Sequence, residues 1–150
     1  MKSLFAPERI TELATRVSAL SPDAKAEWGR MSVTQMLAHC SIGLESAVGE
    51  REIKRVFIGY IFGPIARKFM FRDDEPMKRN APTAREFIVT RHDTFDVEQR
   101  KLIALIERFG KGGAAGCTRV PHSFFGKLTP EQWAVLMYKH VDHHLRQFGG

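Results

Sequence analysis

Amphipathic helical segments follow one another along most of the chain. In the segment 7–20, apolar residues recur at spacings of three and four, and Pro7 stands where a first helical turn tolerates proline. In the segment 33–49, Ser32 is followed three residues later by Gln35, which is the pattern of a capping box. We therefore predict a first helix over 7–20 and a second over 33–49.

The middle of the chain is predicted to form a third helix followed by a long connection. Residues 54–71 are very apolar, and Gly63 and Pro64 are expected to break or bend the helix that they form. The segment 72–93 is polar and punctuated by prolines, and only the letters EFIV within it suggest a short extended piece. We interpret this segment as a crossover connection, with His92 on its surface.

A fourth helix is predicted over 94–109, where apolar residues again show helical spacing and Gly110 supplies a C-terminal cap. The letters that follow, KGGAAGC, contain too many glycines for regular structure. The segment 118–128 continues as an aromatic-rich loop that must bury Phe124 and Phe125. Such a loop is expected to cover one end of a helical bundle.

The most complete helix signal lies at the C-terminal end of the chain. Thr129, Pro130 and Gln132 have the pattern of a helix cap, a first-turn proline and a capping-box partner. Little or no sheet is expected. The chain is therefore predicted to be all-α, a single domain over residues 1–150, built as a helical bundle with at least one long crossover.

Composition limits the classes of protein to which this chain can belong. Its 150 residues, 43% hydrophobic and 27% charged, suit one compact domain with a sizeable core. Two cysteines are too few for a disulfide framework, which favours the cytoplasm, and early charges interrupt any signal peptide. The longest apolar run, VFIGYIFGPIA, is too short to span a bilayer, which leaves a membrane-surface role as the alternative.

The positive charge of the chain suits an anionic partner, since the formal net charge is +6. The basic residues are spread along the chain without a nucleic-acid reading motif, so nucleic acid is not expected as a partner. Six basic residues in the middle of the chain could hold the carboxylates of a low-molecular-weight thiol, although a solvated helix face is the favoured interpretation. They are Arg51, Lys54, Arg55, Arg67, Lys68 and Arg72.

Three of the six histidines lie in the letters YKHVDHHLRQF of the last helix. His140 and His144 stand four residues apart on its apolar face, whereas His143 projects to one side. Buried imidazoles need partners, and a divalent metal ion would satisfy both rings, while ordinary helix histidines are the alternative. The candidate for a third ligand is His39 on the second helix, with His122 in the aromatic loop as its rival.

Three segments resemble the DinB-like or YfiT-like superfamily of bacterial metal-dependent enzymes. MSVTQMLAHC is similar to the superfamily's second-helix segment that ends in its first histidine, and KHVDHHLRQF is similar to its last-helix His-x-x-x-His followed by Arg and Gln. PHSFFGKLTPEQW looks like a branch whose function is unassigned. The resemblance implies an up-down-down-up four-helix bundle with an extra short or bent helix and long crossover loops. It also implies zinc or nickel on His39, His140 and His144, and a homodimer. The apolar character of the third helix makes it the candidate for the dimer interface.

The expected function is that of a metal-dependent enzyme acting on a small molecule, either a thiol transferase or a hydrolase. His122 and Arg146 are the expected substrate-binding residues. No carboxylate stands in a general-base motif such as His-Glu-x-x-His. Asp142 and Glu45 are predicted to be exposed, and Cys40 to be a small core residue. Two alternatives stay open: a binding protein with structural histidines and a basic surface for an anionic partner, and a bundle that keeps the site without activity.

Overall fold

Five α-helices make up the structure, a computed structural model that describes residues 1–80 and 87–150. The helices are α1 Pro7–Ser18, α2 Val33–Ala47, α3 Phe57–Met70, α4 Phe95–Gly112 and α5 Pro130–Gln147. A short 3-10 helix, Gly113–Gly116, follows α4. The described residues contain no strand, and one isolated bridge joins His122 to Gly126. The prediction of an all-α chain is confirmed.

Local signals in the sequence set the first residues of three helices. The Ser32 side chain accepts a hydrogen bond from the Gln35 backbone, and the Gln35 side chain accepts one from the Ser32 backbone. Thr129 and Gln132 form the same reciprocal pair at the start of α5. Pro7 occupies the first turn of α1, where its missing N–H group has no helical partner to lose. Both predicted capping boxes are confirmed.

The core lies between α1, α2, α4 and α5. Helix α2 packs against both α4 and α5, and α1 packs against the same two helices. Burial of each large apolar side chain in such a core contributes roughly 1.5–3 kcal/mol. The largest fully buried side chains include Trp133, Phe109, Leu13, Met36, Leu37, Leu44, Leu102 and Leu145.

The glycine-rich end of α4 differs from its prediction. The helix continues through Gly110 to Gly112, Gly113 is the C-cap with a φ of 57°, and the 3-10 helix follows. Gly110 is buried at the contact with the α1 segment, where an added Cβ would lie 2.8 Å from the Leu4 carbonyl oxygen and closer to the Ile10 side chain. The prediction of irregular structure over KGGAAGC is wrong, because α4 continues past the buried Gly110 through Gly112 and Gly113–Gly116 form the 3-10 helix, against the low helix propensity of glycine.

Helix α3 presents a large apolar surface. It begins at Phe57 and runs without interruption through Gly63 and Pro64. Of the predicted break or bend at these residues, the break is wrong and the bend stays a prediction. Pro64 faces solvent, where water can satisfy the carbonyl group that loses its N–H partner. Among the described helices, none has both the length and the apolar character needed to cross a membrane. The large apolar side chains of α3 are between 52% and 80% exposed: Phe57, Ile58, Tyr60, Ile61, Phe62, Ile65 and Phe69.

The letters EFIV, predicted as a short extended piece, fall in the connection between α3 and α4. Glu86, the first residue of this piece, lies outside the described residues, and residues 87–89 form no strand. Phe87 instead approaches α2, and its carbonyl oxygen lies 2.9 Å from His39 Nδ1. His92 is exposed, as predicted.

Charged side chains join α1 to α5 beside the core. Arg16 donates to Asp142 at 2.7 Å, and the Tyr138 hydroxyl donates to Glu12 at 2.9 Å. Asp142 also accepts from Arg146 at 2.8 Å and is only 6% exposed. The prediction that Asp142 is exposed is wrong, because tertiary packing brings an arginine of α1 over it.

Gly110→Ala is expected to destabilise the protein although alanine is the better helix former. The added methyl group meets Leu4 and Ile10, and we expect a loss of about 1–3 kcal/mol in the free energy of unfolding. Gly112→Ala is the matched control, because no atom lies within 4 Å of its Cβ position. Its effect should range from none to a gain of about 1 kcal/mol. Urea denaturation measures both variants, and equal losses would contradict the packing described for Gly110.

Candidate metal centre

Three histidines from two helices meet where α2 faces α5. His39 on α2 lies beside His140 and His144 on α5, and one nitrogen atom of each ring lies within 4.8 Å of the other two. His39 and His144 are buried, and His140 is partly accessible. The three rings are therefore close enough to bind one metal ion.

Hydrogen bonds at Nδ1 orient two of the rings. His39 Nδ1 lies 2.9 Å from the Phe87 carbonyl oxygen. His144 Nδ1 lies 2.8 Å from Gln147 Oε1. The Gln147 amide donates from Nε2 to the Trp28 carbonyl oxygen at 2.6 Å, which determines that its oxygen faces His144. Since both acceptors require an N–H group, both rings carry their proton on Nδ1 and direct the Nε2 lone pair into the cluster.

The third ring, that of His140, is only partly satisfied. Its Nε2 lies 2.9 Å from His39 Nε2 and donates to the lone pair there. Its Nδ1 is buried and has no hydrogen-bond partner among the described residues. An unpaired buried polar atom costs about 1–3 kcal/mol. The cluster thus holds more imidazole lone pairs than N–H groups. A divalent cation fits this cluster, because imidazole nitrogen atoms bind it through their lone pairs.

Burial keeps the rings in the neutral form that binds metal. Burial lowers the pKa of His144 to about 3, and the nearby His39 ring adds to the shift. Burial and the neighbouring imidazoles hold the pKa of His140 well below its ordinary value. Burial also lowers the pKa of His39, although its hydrogen bond to Phe87 opposes the shift. The rings are therefore already neutral at neutral pH, and only the His140 proton has to move from Nε2 to Nδ1 before Nε2 of this ring can bind a metal ion.

A glycine on α2 makes room for the ring of His140. Gly43 stands one turn after His39, and an added Cβ would lie 3.1 Å from His140 Nδ1 and 3.3 Å from its Cε1. Sequence reasoning identified neither Gly43 nor the Phe87 carbonyl. The spacing of four from His39 was an available signal for Gly43, whereas no side-chain pattern points to a backbone carbonyl.

An open cavity of about 1070 Å³ faces the three-histidine cluster. Side chains of α3 and of the aromatic loop line it together with the histidines. Two glycines of α3 allow the loop backbone to approach closely, since a Cβ added at Gly59 would lie 2.7 Å from the Phe124 carbonyl oxygen, and one at Gly63 closer still. Phe124 and Phe125 are half-buried and both line the cavity, so the predicted covering loop forms part of its wall.

His122 lines the same cavity, outside the three-histidine cluster. Its Nδ1 accepts the backbone N–H groups of Phe124 at 3.0 Å and Phe125 at 3.2 Å. Its ring packs against the Trp133 indole, with 5.2 Å between ring centroids. Burial lowers the pKa of His122 to about 4, and the two N–H donors require an unprotonated Nδ1. The proton of this ring is therefore on Nε2.

The other candidate side chains lie outside the three-histidine cluster. Arg146 is exposed, is held by Asp142 and does not line the cavity. His143 does line the cavity, 5.6 Å from Trp28 between ring centroids, but lies outside the cluster. The six basic residues considered for thiol binding do not line it either. Cys40 is buried in the core, where burial raises its thiol pKa and keeps it protonated.

The fold and the histidine cluster define an all-helical protein with a candidate metal centre beside an apolar cavity. The chain belongs to the family described as Protein of unknown function (DUF1569), whose family model matches residues 5–149. Comparison with curated proteins gives no match, and no solved structure matches the chain.

His122→Phe is expected to make the fold less sensitive to acid. The folded pKa of His122 is about 4 and its ordinary value is 6.5, so the unfolded chain binds more protons between these values. The stability that depends on neutral His122 is complete above pH 6.5 and is lost as the pH falls toward 4. When the pH is lowered from 7 to 5, the free energy of unfolding should therefore fall by about 2 kcal/mol less in the variant than in the parent.

Urea denaturation at both pH values, with a chelator present, measures this difference. The control is His92→Phe at an exposed histidine, which should keep the parent's pH dependence. A His122→Phe variant with the parent's pH dependence would show that His122 is protonated in the folded protein as readily as in the unfolded chain.

Proposed function

We propose that this protein is a metal-dependent enzyme of the DinB-like type, with zinc or nickel bound by His39, His140 and His144. The observation that carries the proposal is the three-ring cluster at an open cavity, with Nδ1 of two rings held by carbonyl oxygens. Histidine ligands of metal enzymes characteristically donate their second N–H group in this way. Three protein ligands leave a coordination position for water or substrate, as in catalytic zinc sites.

The packing of the helices supports a bundle of the same type. Helices α1, α2, α4 and α5 contact one another in the pairs that a four-helix bundle requires. We propose the up-down-down-up order for these four helices, with α3 as the extra helix. The long connections on either side of α3 would then serve as crossovers.

The residues around the cluster favour thiol transfer over hydrolysis. A bound divalent ion would lower the pKa of a thiol or of water at the open position. The described lining contains no carboxylate, so no Asp or Glu is placed there to act as a general base. A thiol, with its lower intrinsic pKa, needs such a base less than water does. In this proposal His122 donates a hydrogen bond from Nε2 to the substrate.

Protein purified without an affinity tag should contain about one zinc or nickel ion per chain, measured by elemental analysis. The double variant His140→Ala, His144→Ala should lose the ion because two of the three ligands are removed. His143→Ala is the matched control: it removes the adjacent histidine, which lies outside the cluster, and should keep the ion.

Gln147→Leu, which removes the acceptor of His144 Nδ1, should weaken metal affinity by about tenfold or more. Circular dichroism establishes that each variant is folded. A folded parent that takes up no zinc or nickel after incubation with either ion would refute the metal-centre proposal and favour structural histidines.

We also propose that the protein forms a homodimer through α3. Seven large aromatic and aliphatic side chains of this helix are each more than half exposed, and such apolar surfaces mark interaction sites. A two-fold symmetric pair of α3 helices would cover the same surface on both subunits.

Ile61→Glu is expected to convert the dimer into a monomer, because it places a carboxylate in the centre of this apolar surface. Size-exclusion chromatography with light scattering measures the mass of the assembly. Val97→Glu, at an exposed apolar position of α4, is the matched control and should remain dimeric. A parent protein that is monomeric at micromolar concentration would contradict the assembly.

A further inference from the structure

The cavity beside the histidine cluster is large and its walls are apolar. Its volume of about 1070 Å³ lies just above the range for small-molecule sites, about 300–1,000 Å³. Three separate elements supply the walls, namely α3 through Phe62, the aromatic loop through Phe125 and α5 through Leu136. Water in contact with such surface is unfavourable, so a ligand with an extended apolar body is favoured.

Methionines make part of this wall adaptable. Four of the chain's six methionines line the cavity: Met31, Met70, Met77 and Met137. The thioether side chain is unbranched and has several rotatable bonds, so it can follow apolar ligands of different shapes. The wall therefore suits a flexible hydrocarbon chain better than a compact polar molecule.

The charged side chains of the cavity are basic. In the part of the lining that the structure describes, Arg30 and Lys78 are charged, and none of these residues is Asp or Glu. Both are exposed, which places them at the rim. Arg79 lies over the Trp28 ring at 4.0 Å from its centroid and adds positive charge at the same edge. A charged group of a ligand at this rim is therefore an anion.

We propose that the substrate of this site is an amphipathic anion, with its apolar body along α3, the aromatic loop and α5 and its carboxylate or phosphate beside Arg30 and Lys78. A small zwitterionic thiol such as glutathione fits less well, because it leaves the apolar wall uncovered and brings an ammonium group toward two cations. This inference rests on the proposed function only because it calls the ligand a substrate. The cavity and its charges do not depend on a bound metal ion.

Isothermal titration calorimetry of the whole 150-residue chain, treated with a chelator, tests the ligand class directly. The probes are decanoate, decyl phosphate, 1-decanol, decylamine and reduced glutathione. Decanoate and decyl phosphate should bind, and the tighter of the two identifies the head group. Neutral 1-decanol should bind about fivefold more weakly, since it loses the exposed ion pairs. Decylamine affinity equal to that of decanoate, glutathione binding as tight as decanoate, or no decanoate binding would overturn the inference.

Substitution of the two rim cations locates the anionic group. Arg30→Gln, Lys78→Gln should weaken decanoate binding about fivefold and leave 1-decanol binding unchanged. Lys25→Gln, Arg119→Gln makes the same change in net charge at exposed positions outside the lining and should leave both affinities unchanged. Equal weakening by both double variants would attribute the effect to overall charge and overturn the rim site.

Two independent measurements distinguish a failure of this inference from a failure of the metal-centre proposal. Metal content is measured by elemental analysis, and decanoate binding is measured with the metal removed. A protein that binds zinc or nickel but not decanoate would refute the inference alone. A protein that binds decanoate through Arg30 and Lys78 but takes up no metal would refute the metal centre and keep the inferred ligand class.

Discussion

Burial of three imidazole rings between α2 and α5 is the constraint on which the rest of the structure depends. Polar rings in a helical core persist only where hydrogen bonds or a ligand offset the loss of water. Distant segments meet this need: Phe87 comes from the connection before α4, and Gln147 and Trp28 link the end of α5 to the segment before α2. The long irregular segments of the chain are thus partly organised around the histidines.

One side of helix α5 makes ionic contacts with α1, and the other side faces the open apolar cavity. On the first, Asp142 and Tyr138 hold α1 through buried charged and hydroxyl groups. On the second, His140 and His144 face the cavity. Because the ionic contacts restrain the helix that carries two of the three rings, they also restrain the geometry of the cluster. Pre-organisation of this kind lets a site bind an ion without rearranging the backbone.

The cavity combines a polar cluster with surroundings of low polarity. Helix α3 and the aromatic loop meet through backbone contacts at Gly59 and Gly63, and their side chains form a wall. Electrostatic interactions gain strength where water is displaced, so a ligand that fills the cavity would strengthen the interactions at the cluster. The apolar wall and the neutral histidines therefore line the same cavity, although they come from different parts of the chain.

The sequence by itself determined the helices, the capping boxes at Ser32 and Thr129 and the shared face of His140 and His144. These features depend on residues within a turn or two of helix, where spacing alone is informative. His39, which stands 101 residues before His140 in the chain, was a candidate for the third ligand beside His122, and the resemblance rather than helical spacing favoured it. Only the tertiary structure decided that the three rings meet, that Asp142 is buried and that Gly110 packs inside α4 against Leu4 and Ile10. Each of these outcomes depends on a contact with residues that are distant in the chain, and the local sequence pattern does not identify those residues.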